Sequence, residues 1–184
     1  MTYFSPRNIY SFCKKRNELL DVYYLLPRVN TSKSTIMEYS EKFTEFSGFE
    51  NKIGISVGIG SEDDIDIIKF VKNLGYKLIC VDVANGYMSS GIEFMDKIIS
   101  EYDMSVIFGN ITNIYKYHLI GDTTRKYFRV GIGNGSCCTT RNKTGVGSGV
   151  VSALINNVNN SCGSFEKFIM DGGLKEEGDI CKVS

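Results

Sequence analysis

The sequence has one histidine, His118, and none of its six cysteines is spaced as Cys-x-x-Cys. A zinc centre built from thiolates and imidazoles is therefore not expected. Charge of one sign is missing too. Lysine plus arginine and aspartate plus glutamate both number 21, so the formal net charge is zero, and the electrostatic footprint of a nucleic-acid or membrane-surface binder is absent. No apolar run is long enough to cross a bilayer, and the opening Met-Thr-Tyr-Phe-Ser-Pro-Arg does not read as a secretory signal. The expectation is a cytoplasmic protein with no nucleic acid and no membrane among its partners. Cys13, Cys80, Cys137, Cys138, Cys162 and Cys181 are then expected as reduced thiols, their spacing being irregular.

What is present is ordinary globular material: 184 residues, 42% hydrophobic and 23% charged, enough for one good core or at most two small ones. The pattern reads as an alternation. A helix over 9–20 precedes an apolar strand over 22–26, which Pro27 stops and Arg28 follows. A helix over 37–46 leads to a β-branched strand over 52–57 and a glycine turn. Ser61 with Asp64 three residues on reads as an N-cap with an acidic first turn, and Gly75 as the end of that helix. Strands over 77–83, 105–108, 127–132 and 168–170 follow, with helices around Ile92–Ile99, Ile114–Ile120 and Val150–Val158 between them. Strand, polar or small residues, helix, repeated with short connections, argues for right-handed parallel βαβ units. Residues able to do chemistry cluster where strands end, which is where ligands bind in barrels and in open doubly wound sheets.

The densest cluster runs from Arg129 to Gly147, with five glycines, adjacent Cys137 and Cys138, three threonines and the cations Arg129, Arg141 and Lys143. Glycine lets backbone groups approach a ligand, hydroxyls hydrogen-bond, and cations favour a thiolate. Cys138 is thus the candidate nucleophile, and Cys137 is expected to point inward. Gly131, Gly133 and Gly135 miss the dinucleotide fingerprint, which would want glycine at position 138. A tight loop facing a phosphate or a cation is the better use of them. Asp82, a carboxylate inside an apolar strand, must be paired or aimed at a ligand. Asp171-Gly172-Gly173 on its own is a turn, Lys175-Glu176-Glu177 reads as solvated surface, and His118 as a surface or helix-edge residue without a role.

Several motifs in order resemble the IMP dehydrogenase/GMP reductase family. They are Gly-Ile-Gly-x-Gly-Ser-x-Cys-Thr-Thr-Arg at 131–141 and Asp-Gly-Gly at 171–173 with Gly178-Asp179 and Lys182. Asp82-Val-Ala-Asn-Gly-Tyr87 and Lys143-Thr-Gly-Val-Gly147 are similar to the reductase branch in particular. The resemblance covers roughly 20–182 and implies an α/β fold, the (β/α)8 TIM barrel. It makes Cys138 the nucleophile at C2 of the purine and Thr140 the hydroxyl that assists departure of ammonia. Ser136 would contact phosphate, Asp171 the ribose hydroxyls, Gly172 and Gly173 the nucleotide, and Asn110 would line the site. Asp82 would lie near the nicotinamide ribose. Arg28, where the reductases tend to have lysine, would be on the cofactor side. The carbonyls of Gly133, Gly135 and Cys138 would hold a potassium ion, and NADPH would be the cofactor.

The implied reaction is reductive deamination of GMP to IMP. The thiolate adds to C2, ammonia leaves, and hydride resolves the thioimidate. A complete barrel needs about 200 to 250 residues, so residues 1–184 are expected to form one partial barrel domain that lacks the first and eighth strands. Exposed strand edges would make the isolated chain poorly soluble or weakly active unless a homo-oligomer, a tetramer in the family, or a complementing chain supplies strands. Two other readings stand beside the reductase: an IMP dehydrogenase making XMP with NAD, and a non-catalytic nucleotide-binding remnant or assembly partner.

Overall fold

The computed structural model describes residues 23–28, 32–43, 52–115, 118, 121–135, 138–160 and 167–183. Six strands form one sheet in sequence order: β1 (Tyr24–Leu26), β2 (Ile53–Val57), β3 (Leu78–Asp82), β4 (Ser105–Ile111), β5 (Lys126–Val130) and β6 (Lys167–Met170). Every neighbouring pair is parallel. Helices α1 (Lys33–Phe43), α2 (Glu62–Asn73), α3 (Ser89–Tyr102) and α5 (Val150–Asn160) alternate with the strands. Two short helices, α4 (Thr140–Thr144) and α6 (Glu177–Val183), follow β5 and β6. The result is a curled, incomplete TIM barrel, with the parallel βα units that the alternation predicts and the barrel that the family resemblance implies; among the described residues β1 and β6 are its edges. The expected helix over 9–20 lies outside the described residues.

Side chains alternate across each strand, so each face of the sheet has its own core. One face packs under the helices: Ile53, Ile55, Val57, Ile79, Val81, Val106, Phe108, Phe128 and Val130 are buried against Ile36, Ile68, Val71, Met95, Ile98 and Ala153. The other face is the concave interior and is built in layers. In the lowest, Leu25, Gly54 and Leu78 are in register, and a Cβ on Gly54 would come within 2.5 Å of the Leu25 side chain. Above it run Ser56, Cys80, Ile107 and Tyr127, and above those Asp82, Gly109 and Arg129. Polarity therefore rises towards the C-terminal ends of the strands.

Local chemistry sets the helix boundaries. The Ser61 hydroxyl oxygen accepts from the Asp64 N–H at 3.1 Å, and the Asp64 carboxylate accepts from the Ser61 N–H at 3.2 Å, a reciprocal cap that starts α2. Asp64 also accepts from the Gly58 N–H at 2.7 Å, which fixes the turn after β2. Burial opposes its charge, but the Ser61 hydroxyl, these backbone donors and Arg28 outweigh it and hold the carboxyl below the ordinary range. Gly75, at φ +90°, takes the left-handed conformation that ends the helix. α1 starts earlier than the hydrophobic spacing suggests, because Ser32 supplies its own cap: the Ser32 hydroxyl oxygen accepts from the Thr35 N–H at 3.1 Å.

Of the expected helix over 114–120, Ile114 and Tyr115 are non-helical and His118 is in a 3-10 conformation, while residues 116, 117, 119 and 120 lie outside the described set. His118 is fully buried, contrary to its reading as a surface residue. Its Nδ1 accepts from the Tyr115 N–H at 3.0 Å, so its proton is on Nε2, which donates to the Gly86 carbonyl at 2.9 Å. The ring meets Phe128 edge-on at 5.8 Å, and the Lys126 ammonium, itself buried, reaches both the His118 carbonyl at 3.3 Å and Asp96 at 2.5 Å. These tertiary bonds hold His118 in the core.

Two measurements follow from these elements. Ser61→Ala should cost about 1 kcal/mol in urea denaturation at neutral pH, the usual worth of a side-chain cap. Burial pushes the His118 pKa down, so in acid the unfolded chain binds a proton that the native imidazole refuses. Stability should therefore fall as pH drops below about 6.5, through the window between the unfolded and the lowered folded pKa. His118→Gln should flatten the pH slope of the urea midpoint in that window, and an unchanged slope would assign it to another group.

Candidate active site

Four strand ends converge on one guanidinium. Arg129 on β5 and Asp82 on β3 are two strands apart, roughly 9 to 10 Å at the spacing of a sheet, with Gly109 of β4 in register between them. Because Gly109 has no side chain, Arg129 can cross it, and its Nη2 pairs with Asp82 Oδ1. A Cβ on Gly109 would come within 2.9 Å of the Arg129 Cβ and 2.5 Å of its carbonyl oxygen. Arg129 Nε also donates to Asn110 Oδ1 at 2.5 Å and lies 3.5 Å from Asp171 Oδ2. Asn110 completes the ring by donating from Nδ2 to Asp171 Oδ2 at 2.7 Å and to the Gly131 carbonyl.

Arg129 is 18% exposed, whereas the Asp82 and Asp171 side chains are 40% and 45% exposed. The cation lies beneath the two acids, and the carboxylates face the open concavity. Burial works against the guanidinium charge, but its anionic neighbours outweigh that and raise its pKa. Below it, burial pushes the Cys80 thiol up, which keeps that cysteine a neutral filler in the layer beneath the site. The loops after β3 and β4 are fastened to each other. The Val83 N–H donates to the Gly109 carbonyl at 2.8 Å and the Asn110 N–H to the Val83 carbonyl at 2.7 Å, Gly86 N–H donates to the Asn110 carbonyl at 3.0 Å, and the Tyr87 hydroxyl oxygen accepts from the Thr112 and Asn113 N–H groups, each at 2.7 Å.

Cys138 lies in the loop after β5, exposed and reduced. Its sulfur is 3.4 Å from Thr140 Oγ1, and its N–H donates to the Gly135 carbonyl at 3.0 Å. The Thr140 hydroxyl first, then the Thr140 backbone, hold this thiol below its ordinary pKa, as suits a nucleophile. The turn after β6 presses on the same loop. A Cβ on Gly172 would stand 2.8 Å from the Gly135 nitrogen, one on Gly173 would stand 3.3 Å from the Asn134 Cβ, and one on Gly131 would stand 2.6 Å from the Asp171 carbonyl oxygen. Glycines that suggested room for a ligand thus also let chain pack on chain.

The structure accordingly brings Asp82, Asn110 and Asp171 into one network and sets Asp171, Gly172 and Gly173 against the loop that carries Gly133, Gly135, Cys138 and Thr140. Arg28 is placed elsewhere. It follows β1, its guanidinium covers Gly58 so closely that a Cβ there would be 2.4 Å from Nη2, and it contributes to the field at Asp64. Ser136 and Cys137 lie outside the described residues, as does the side chain of Lys182. Arg129 is the functional residue that pattern reading passed over. The signal was available, because the rule applied to Asp82, that a charge inside a strand is paired or aimed at a ligand, holds equally for Arg129.

Among the described residues no helix is long and apolar enough to cross a membrane, and no group of three or more histidine, cysteine or acidic side chains could hold a metal ion. The profile of the "IMP dehydrogenase / GMP reductase domain" matches residues 37–183. GMP reductase of Onchocerca volvulus is 34% identical over 152 residues, covering 80% of this chain and 41% of the relative. GMP reductase of Buchnera aphidicola subsp. Schizaphis graminum is 35% identical over 165 residues, covering 83% and 47%. The crystal structure of a GMP reductase variant from Trypanosoma brucei superimposes with a TM-score of 0.64 at 26% identity, covering 71% of this chain and 29% of that one. The chain thus spans less than half the length of these curated relatives.

The Cys138–Thr140 contact predicts a reactivity difference. Thr140→Val should slow alkylation of Cys138 by iodoacetamide at neutral pH several-fold, since a smaller fraction would be thiolate. Thr139→Val, whose side chain makes no cap bond, should leave the rate unchanged. Equal rates in all three proteins would show that the hydroxyl does not set the thiol's pKa.

Proposed function

Because the chain belongs to the IMP dehydrogenase/GMP reductase family, we propose that it carries the covalent half of a GMP reductase site, which converts GMP to IMP by NADPH-dependent reductive deamination. One observation supports this above the others: an exposed thiol of lowered pKa, bonded to a neighbouring hydroxyl, shares a loop with glycines packed against Asp171-Gly172-Gly173. In this reading the Cys138 thiolate adds to C2 of the guanine ring. The amino group leaves as ammonia with the Thr140 hydroxyl beside it, and a thioimidate remains on Cys138. NADPH, when bound, supplies the hydride that reduces C2 and frees IMP. Asp171 is the acceptor for the ribose hydroxyls. Gly172 and Gly173 line the nucleotide, and Ser136 is the proposed phosphate contact.

On the cofactor side Asp82 fits as a carboxylate held at a strand end, with Arg129 fixing its orientation and leaving it 40% exposed. Arg28, engaged over Gly58, fits that task poorly. The carbonyls of Gly133, Gly135 and Cys138 are the proposed potassium ligands. Backbone carbonyls suit a hard monovalent cation, and the Gly135 oxygen keeps a second lone pair after accepting from the Cys138 N–H. Cys138 would then hold substrate on one side of the loop and the ion on the other.

The test combines binding with turnover. GMP should protect Cys138 of the purified chain from alkylation. Any NADPH oxidation dependent on GMP should vanish in Cys138→Ala and persist in Cys137→Ala. Labelling of Cys138 that ignores GMP, or turnover that survives Cys138→Ala, would overturn the proposal.

A further inference from the structure

The loop that presents Cys138 is closed by a side chain that the chemistry above does not use. Arg141 Nη2 donates to Asn134 Oδ1 at 3.0 Å and to the Ser148 carbonyl at 2.8 Å. Asn134 precedes Cys138 in the chain and Ser148 follows it beyond α4, so a single nitrogen joins the two arms of the loop. The backbone is shaped to admit it. A Cβ on Gly133 would stand 2.8 Å from the Arg141 Cβ, and one on Gly147 would stand 2.6 Å from its Nε. At the end of α4, Gly145 turns at φ +71° and its N–H donates to the Arg141 carbonyl at 2.9 Å, which fixes the backbone from which the guanidinium reaches out.

The joined arms also carry a cost. Asn134 Nδ2 and Ser148 Oγ are buried and have no hydrogen-bond partner among the described residues. Both belong to residues that Arg141 holds, and both would be hydrated if the arms separated, so the closed loop is opposed by the desolvation of these two groups. A restraint is needed, and the guanidinium provides the bonds that cross from arm to arm.

We propose that Arg141 is a positioning residue that clasps the Cys138 loop shut and thereby holds Thr140 against the nucleophile's sulfur, without touching substrate. The inference rests on the reading of Cys138 as the nucleophile. Two mechanisms by which a cation could influence this thiol make different demands. A field effect needs only positive charge three residues from Cys138. A clasp needs the length of a guanidinium, because a lysine ammonium ends near where Arg141 Cζ lies, one bond short of the Nη2 position from which both acceptors are reached.

Alkylation of Cys138 in the full chain, followed peptide by peptide by mass spectrometry from pH 6 to 10, separates them, with exposed Cys181 as the internal reference. Arg141→Lys and Arg141→Ala should both slow Cys138 alkylation at pH 7 by about tenfold, the change expected for a thiol pKa raised by about one unit, and leave Cys181 unaffected. Asn134→Ala, which cuts one arm's bond, should slow it in the same direction. The double variant Arg141→Ala/Asn134→Ala should be no slower than Arg141→Ala alone, since both remove one shared link. A wild-type rate in Arg141→Lys would assign the effect to charge and overturn the clasp, as would slowing that multiplies in the double variant or a Cys138 rate unchanged throughout. If Arg141→Ala does not fold, Arg141→Lys against Asn134→Ala carries the same comparison. No nucleotide or NADPH enters the assay, so an absence of reductase activity leaves the result decidable. Loss of GMP protection in the wild-type protein would count against the functional reading alone.

Discussion

The span of Arg129 across Gly109 is the constraint on which the rest of the site depends. A parallel sheet fixes its strand ends at regular intervals, and side chains on adjacent strands of one layer would ordinarily fill the space between them. Leaving β4 without a side chain at that register lets one guanidinium reach Asp82 on β3 while it also meets Asn110 and lies near Asp171. Two acids near one another in a partly dry concavity would repel each other. With the cation beneath them they are held in place and still face outward. A partly buried pair of this kind gains Coulomb energy but loses hydration, so its net contribution to stability is small. Its main effect here is orientation, since β3, β4, β5 and the turn after β6 are fixed relative to one another by side chains as well as by the backbone ladder.

The fold was largely readable because its determinants are local. Alternating apolar strands, the Ser61–Asp64 cap and the closing Gly75 each depend on a few consecutive residues, and parallel βα repeats leave few topologies open. What could not be read depended on distant partners. The sequence reads His118 as a surface or helix-edge residue, but its hydrogen bonds to Gly86 and Tyr115 place it in the core. β4 runs past its expected end at Phe108 to Ile111, through Gly109 and Asn110, because Val83 and Ile111 both find partners there across the sheet. The short helices α4 and α6 carry too few periodic positions to announce themselves.

The candidate site divides in the same way. Cys138, Thr140, Asp82 and Asp171 stand out as reactive or charged residues at strand ends, and family motifs assign them roles that await measurement. Arg129 was read only as one cation of the Cys138 segment, although a charge inside a strand marks it as paired or aimed at a ligand. Arg28 took its cofactor-side role from the family resemblance, and in the structure its guanidinium covers Gly58 and adds to the field at Asp64. The glycines were legible as a loop but not as contacts. Whether a glycine makes room for a ligand or for another stretch of chain depends on what folds against it, and at Gly131, Gly133, Gly147 and Gly172 the neighbour is protein.

The meeting of Gly172 with Asn134 and Gly135 brings peptide groups, not side chains, into contact. A distance set by rotamers can be adjusted by substitution, one methylene at a time. Where two backbones approach closely, van der Waals radii set the lower limit, and no side-chain truncation can bring them nearer. Any side chain at Gly172 would instead force the nucleophile's loop and the turn after Asp171 apart. The spacing between the two halves of the site therefore depends on this position having no side chain.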